Sequence, residues 1–129
     1  MRILLDTHIY LWWLQDHPDL PPPARDRIVS ASEVFVSSAS IWEASIKARI
    51  GKLEADVGQL VREIPNSGFR ELPISARHAA MAAQLPDIHR DPFDRMLVAQ
   101  ALCEPLRLLT ADAILCQYSE LVETIQIEK

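Results

Sequence analysis

Short apolar runs, regularly spaced, constrain this chain most. Arg2–Leu5, Val34–Val36, Phe69–Ile74, Leu106–Leu109 and Leu121–Ile127 are of strand length, and helix-length segments separate them. A continuous apolar run ending in a polar residue suits a strand buried on both faces, as in a parallel sheet. Strands alternating with helices predict an α/β fold around a mainly parallel sheet of about five strands flanked by helices. Pro73 makes the third strand short or places it near an edge. Helices are expected over Ile9–Leu14, from Pro21 to about Ala31, from Ser40 to Ile50 with Gly51 as the stop, over Leu53–Ile64, and from Ser75 to Leu85. In the fourth of these Leu60, Val61 and Ile64 face inward and the run Pro65–Gly68 ends it. A short helix follows Asp112 to about Cys116.

The most readable helix begins in His89-Arg-Asp-Pro-Phe-Asp-Arg-Met-Leu-Val-Ala-Gln-Ala101. Asp91 is a natural N-cap, and Pro92 fits the first helical position, where its missing N–H costs nothing. Phe93, Met96, Leu97 and Ala101 fall at helical spacing, with Val98 and Leu102 on the flank. Asp94 and Arg95 lie in the first turn, where backbone N–H groups favour an anion or a metal–phosphate assembly.

At 129 residues, with 49% hydrophobic content, the chain is long and apolar enough for one packed domain, residues 1–129. Its apolar runs are too short to span a membrane, and no signal-peptide pattern opens it, so a cytoplasmic location is expected. Cys103 and Cys116 make no disulfide framework or zinc spacing and are expected to be inert core residues. The net charge of −5 is opposite to the usual footprint of a nucleic-acid binder. A nucleic-acid partner therefore requires local basic residues or bound cations.

Four acids stand where such cations bind. Asp6 closes the first strand, Glu43 begins the helix after the second, Asp94 begins the helix before the fourth, and Asp112 follows the fourth. In parallel sheets the site lies at the carboxyl ends of the strands. Each acid taken singly has a plain structural role. Asp6 and Asp112 can cap the helices after them, Glu43 can complete a Ser40 capping box, and Asp94 can join Asp91 as a cap. Together they repel one another unless a hard cation sits among them. Oxygen ligands suit Mg²⁺ or Mn²⁺, and the matching chemistry is metal-assisted phosphodiester hydrolysis.

The pattern resembles a known family. L-L-D-T-H-I at the start, S-I-W-E-A-S-I-K-x-x-x-G-K-L in the middle, D-P-F-D-R-M-L-V-A-Q-A and then L-T-A-D are similar to PIN-domain ribonucleases, most of all to VapC-type toxins of toxin–antitoxin pairs. The resemblance spans nearly the whole chain in order. It implies a PIN-like sheet, Mg²⁺- or Mn²⁺-dependent endoribonuclease activity on RNA, and inhibition by a cognate antitoxin encoded beside it. By position the family's acids fall on Asp6, Glu43, Asp94 and Asp112, and its Ser/Thr falls on Thr110.

Asp6 and Asp94 are then expected as direct metal ligands, with Glu43 and Asp112 completing the shell, partly through water. Thr110 is expected to orient Asp112 or a metal water, and Thr7 has a similar choice between turn and site. Lys47 shares a helix face with Glu43, either as a solvated pair or near the scissile phosphate. Arg90 and Arg95 are candidate phosphate clamps of low weight, His8 a packing residue before a proton carrier, and Asp91 the cap. Adjacent Trp12 and Trp13 cannot both face the core, which suggests an antitoxin or homodimer surface there, in preference to stacking of Trp12, Trp13 or Trp42 on RNA. A phosphotransfer receiver lacks the lysine it needs after the fourth strand. A catalytically inactive PIN-like RNA- or protein-binding module is the main alternative, and acids at all the motif positions argue against it.

Overall fold

A computed structural model describes residues 1–125. The elements in chain order are β1 (Arg2–Leu5), α1 (Thr7–Gln15), α2 (Pro22–Ser30), β2 (Glu33–Ser37), α3 (Ser38–Arg49), α4 (Val57–Asn66), β3 (Arg70–Leu72), α5 (Ala76–Gln84), α6 (Pro92–Cys103), β4 (Arg107–Thr110), a 3₁₀ turn (Ala113–Gln117) and β5 (Val122–Thr124). The five strands form one sheet in the order β3-β2-β1-β4-β5, and every pairing is parallel. The expected α/β sheet flanked by helices is therefore present, and the proline-limited β3 sits at its edge. The part of the last expected strand beyond residue 125 lies outside the described residues.

Alternation along β1 splits the core in two. Ile3 and Leu5 join Ile9, Tyr10, Ile28 and Leu60 on the face covered by α1, α2 and α4. Leu4 points the other way, into a cluster with Leu97, Val98, Leu108 and Leu115. Both faces of the central strands are thus covered, which accounts for their unbroken apolar runs. Leaving the core to one side, the order reverses between β1 and β4, and the crevice this opens at their carboxyl ends positions the site.

Several local expectations are corrected. No loop separates β2 from α3; the helix starts at Ser38, and Ser37 is its N-cap, accepting from the Ala39 N–H. Ser40 lies inside the helix, so the Ser40–Glu43 capping box does not exist, and Glu43 is released from that role. Residues 53–56 precede α4, which starts behind Asp56 and continues through Pro65 to Asn66. Pro65 lies inside its last turn, and the chain turns instead at Gly68, where φ is +79°. Val61 faces solvent, while Leu60 and Ile64 are buried. Cys103 is buried but Cys116 is exposed, because the 3₁₀ turn directs Leu115 inward in its place.

Candidate active site

The parallel register places Leu5 beside Leu109, and the Asp6 N–H continues the ladder to the Leu109 carbonyl at 3.0 Å. Asp6 and Thr110 are therefore neighbours at the ends of adjacent strands. The buried Thr110 hydroxyl donates to Asp6 Oδ2, and its oxygen accepts the Asp112 N–H at 3.1 Å. One threonine thus orients Asp6 and anchors the turn that carries Asp112. Asp112 also caps the 3₁₀ turn by accepting from the Ile114 N–H. Burial pushes the Asp6 carboxyl above its ordinary value, and Glu43 adds to the rise, while the Thr110 hydrogen bond and the nearby His8 oppose it.

Glu43 enters from the second turn of α3 and is buried. Its Oε2 meets Lys47 Nζ at 2.9 Å, while its Oε1 is buried without a hydrogen-bond partner. The bond to Glu43 is the main reason the Lys47 amine is held above its ordinary value. Thr7 turns away from the acids and donates to Ser40 Oγ at 2.9 Å, joining α1 to α3.

The start of α6 divides the labour between its two aspartates. Asp91 Oδ1 accepts from the N–H groups of Phe93 and Asp94, so Asp91 alone caps the helix. That leaves the Asp94 carboxylate free to face the crevice. Its pKa is pushed up to about 8, chiefly by burial and then by repulsion from Asp6, Asp91, Glu43 and Asp112. Asp6, Glu43, Asp94 and Asp112 line one cleft of about 440 Å³, together with His8, Trp12, Lys47, Asp91 and Ala111. The structure therefore brings all four sequence-predicted acids together, with Lys47 among them and Thr110 directly behind.

His89 is the residue that sequence reasoning passed over. Its Nε2 lies 3.1 Å from Asp94 Oδ2 and 3.4 Å from Asp112 Oδ2. Its closeness to the Asp91 cap, just before the helix that carries Asp94, was the available signal. Arg95, by contrast, is no phosphate clamp. Its guanidinium donates to the carbonyls of Ala82, Leu85 and Pro86 and packs against the Tyr118 hydroxyl, fastening the connector between α5 and α6. Arg90 is exposed, and its N–H donates to His89 Nδ1.

The two tryptophans of α1 are both half-buried. Trp12 lines the acid cleft and stacks on His17, and Trp13 packs on Phe69 over the core. The strongly exposed tryptophan is Trp42, which meets Phe93 edge-on.

The donor set fits a hard divalent cation. Carboxylate oxygens predominate, an unpartnered Glu43 oxygen is buried at the cleft wall, and burial together with repulsion among the carboxyls holds Asp94 near 8. A cation held by such a donor set would order water and offset the charge of a phosphate group.

A family profile described as PIN domain matches residues 3–121. The chain is 29% identical over 113 residues to Ribonuclease VapC22 of Mycobacterium tuberculosis, across 85% of this chain and 86% of the relative. The crystal structure of VapBC2 from Rickettsia felis bound to a DNA fragment from their promoter matches with a TM-score of 0.69 at 18% identity, over 98% of this chain and all of that one. FitAcB from Neisseria gonorrhoeae matches with a TM-score of 0.57 at 20% identity, over 89% and 90% of the two chains. At these identities the two solved structures establish a shared fold.

Proposed function

The chain belongs to the PIN-domain family, and from that premise we propose that it is a divalent-metal-dependent endoribonuclease acting in the cytoplasm as the toxin of a toxin–antitoxin pair. The observation that carries this reading is the convergence of Asp6, Glu43, Asp94 and Asp112 on one cleft at the carboxyl edge of the sheet. The similarity to a ribonuclease over most of both chains supports RNA as the substrate, and the fold shared with VapBC2 supports an antitoxin partner. An Mg²⁺ or Mn²⁺ ion bound in the cleft would supply an activated water and stabilise the charge that develops on the phosphate. Asp6 and Asp94 would hold the ion directly, with Glu43 and Asp112 completing its surroundings. Thr110 keeps Asp6 in one orientation. Lys47, one helical turn from Glu43, offsets charge beside the scissile phosphate. These local cations answer the problem of an acidic chain binding RNA: attraction is confined to the cleft.

Helix α3 also supports a protein partner, and we place the homodimer there. Trp42 and Ile46 on the helix and Ile50 at its C-cap recur every four residues and are exposed. Such a stripe is costly in solvent and suits an interface. Among the described residues no helix is long and apolar enough to cross a membrane. The test is incubation of the purified chain with an RNA pool in Mg²⁺, Mn²⁺ or chelator. Internal cleavage that needs the metal is expected; cleavage indifferent to chelator overturns the metal reading, and no cleavage under any condition favours a binding module.

A further inference from the structure

Two basic side chains from different elements pair with the acids, and they do different things. Lys47 pairs with Glu43 from the same helix. His89 comes from the connector before α6 and spans two elements, meeting Asp94 on α6 and Asp112 beyond β4. Nothing in the fold requires this bridge, since Asp91 caps α6 and Asp112 caps its own turn without it.

The hydrogen-bond pattern assigns the ring's role. Nδ1 accepts the Arg90 N–H at 3.0 Å, so it carries a lone pair and the ring hydrogen resides on Nε2. Nε2 is therefore a donor shared between two carboxylate oxygens. A metal ligand needs a bare nitrogen, so in this arrangement His89 is a rival of the ion and not part of its shell. The donor atoms of His89, Asp94 and Asp112 all lie within 4.8 Å of one another. A cation held by Asp94 would compete with Nε2 for the carboxylate oxygens that the ring already engages, Asp94 Oδ2 and Asp112 Oδ2.

The backbone beneath His89 is fastened. The Tyr118 hydroxyl accepts the His89 N–H at 2.8 Å and donates to the His89 carbonyl at 3.2 Å, while Arg95 binds the carbonyls preceding it. Departure from the acids must then come from rotation of the side chain, which has room because it is partly open to solvent.

We infer that His89 is a built-in competitor for the cation: its Nε2–H bridges Asp94 and Asp112 and must swing out when an ion enters. The inference rests on the metal reading of the cleft. It implies that this chain holds its acids in place without metal, at the expense of metal affinity.

Calorimetric titration of Mg²⁺ into the wild type and His89→Ala tests it. Losing a charge-assisted hydrogen-bond competitor should tighten Mg²⁺ binding by roughly tenfold in the variant. Equal or weaker binding by the variant overturns the inference and leaves the metal reading standing. Failure of both proteins to bind Mg²⁺ or Mn²⁺ overturns both. Ring ¹⁵N spectra of the wild type give an answer that does not depend on the variant folding. Saturation with Mg²⁺ should move the His89 ring signals while Nε2 keeps its hydrogen, with His78 as the unmoved reference. An Nε2 that loses its hydrogen, or a ring that does not respond, contradicts the displacement.

Discussion

Two regions of this molecule pair a histidine with a carboxylate, and they are built on opposite terms. Between α5 and α6, His78 is buried, its Nδ1 accepts the Ser75 N–H at 3.0 Å, and its Nε2 lies 2.6 Å from Glu104. It completes a capping box for α5 and meets a single acid. At the cleft, His89 and Lys47 face Asp6, Glu43, Asp91, Asp94 and Asp112. Each region also contains one buried oxygen without a partner, Gln100 Oε1 near His78 and Glu43 Oε1 in the cleft. An orphan atom therefore does not mark a site by itself. The distinguishing property is charge: the first region is an amide and one histidine–carboxylate hydrogen bond, while the second collects more negative charge than its own residues offset. A structural network is settled from within, and a functional one is left for a ligand to settle.

The largest effect that can break this contrast is on catalysis. Asp94→Asn and Asp6→Asn should each reduce RNA cleavage at least about a hundredfold with native circular dichroism, since a ligand to the ion is lost. His78→Ala should leave the specific activity of folded protein unchanged. Comparable loss of activity in His78→Ala would erase the distinction.

Stability should show the reverse order. His78→Ala strands the Ser75 N–H and removes the partner of Glu104, and a loss of about 2–3 kcal/mol is expected in denaturant unfolding, independent of metal. A smaller effect is expected for Lys47→Met. The ion pair it removes is partly exposed on the lysine side, but the Glu43 carboxylate is buried. A loss of about 1 kcal/mol in chelator, reduced by Mg²⁺, would sharpen the view that the cation takes over the lysine's work.

Much of this arrangement was legible from local signals. A polar residue closing an apolar strand placed Asp6, and Asp91-Pro92 announced the helix that carries Asp94. Glu43 was found, but its surroundings were not: Ser37 starts α3 directly from the strand, which a plausible Ser40 capping box concealed. His89, Arg95 and Tyr118 were out of reach because their roles depend on contacts between the α5–α6 connector and the 3₁₀ turn, far apart in sequence. Trp12 and Trp13 could be assigned to one helix face or another, yet their half-burial is decided by His17 and Phe69.

The pH dependence of melting, with and without metal, tests the charge deficit of the cleft most directly. Asp94 titrates near 3.8 when unfolded and near 8 when folded. A folded value above the unfolded one means no penalty at low pH, and a loss of stability that grows as pH rises from about 4 to 8. In chelator the wild type should lose melting temperature over that window, and Asp94→Asn should lose less and melt higher at pH 8. Mg²⁺ at a hundred times its dissociation constant should restore about 2.7 kcal/mol to the wild type and far less to the variant. The expected result is this crossing, with the variant ahead in chelator and the wild type closing or reversing the gap in Mg²⁺. A variant that melts below the wild type in chelator and responds equally to Mg²⁺ would contradict the assignment of Asp94, and with it the cleft, to a cation.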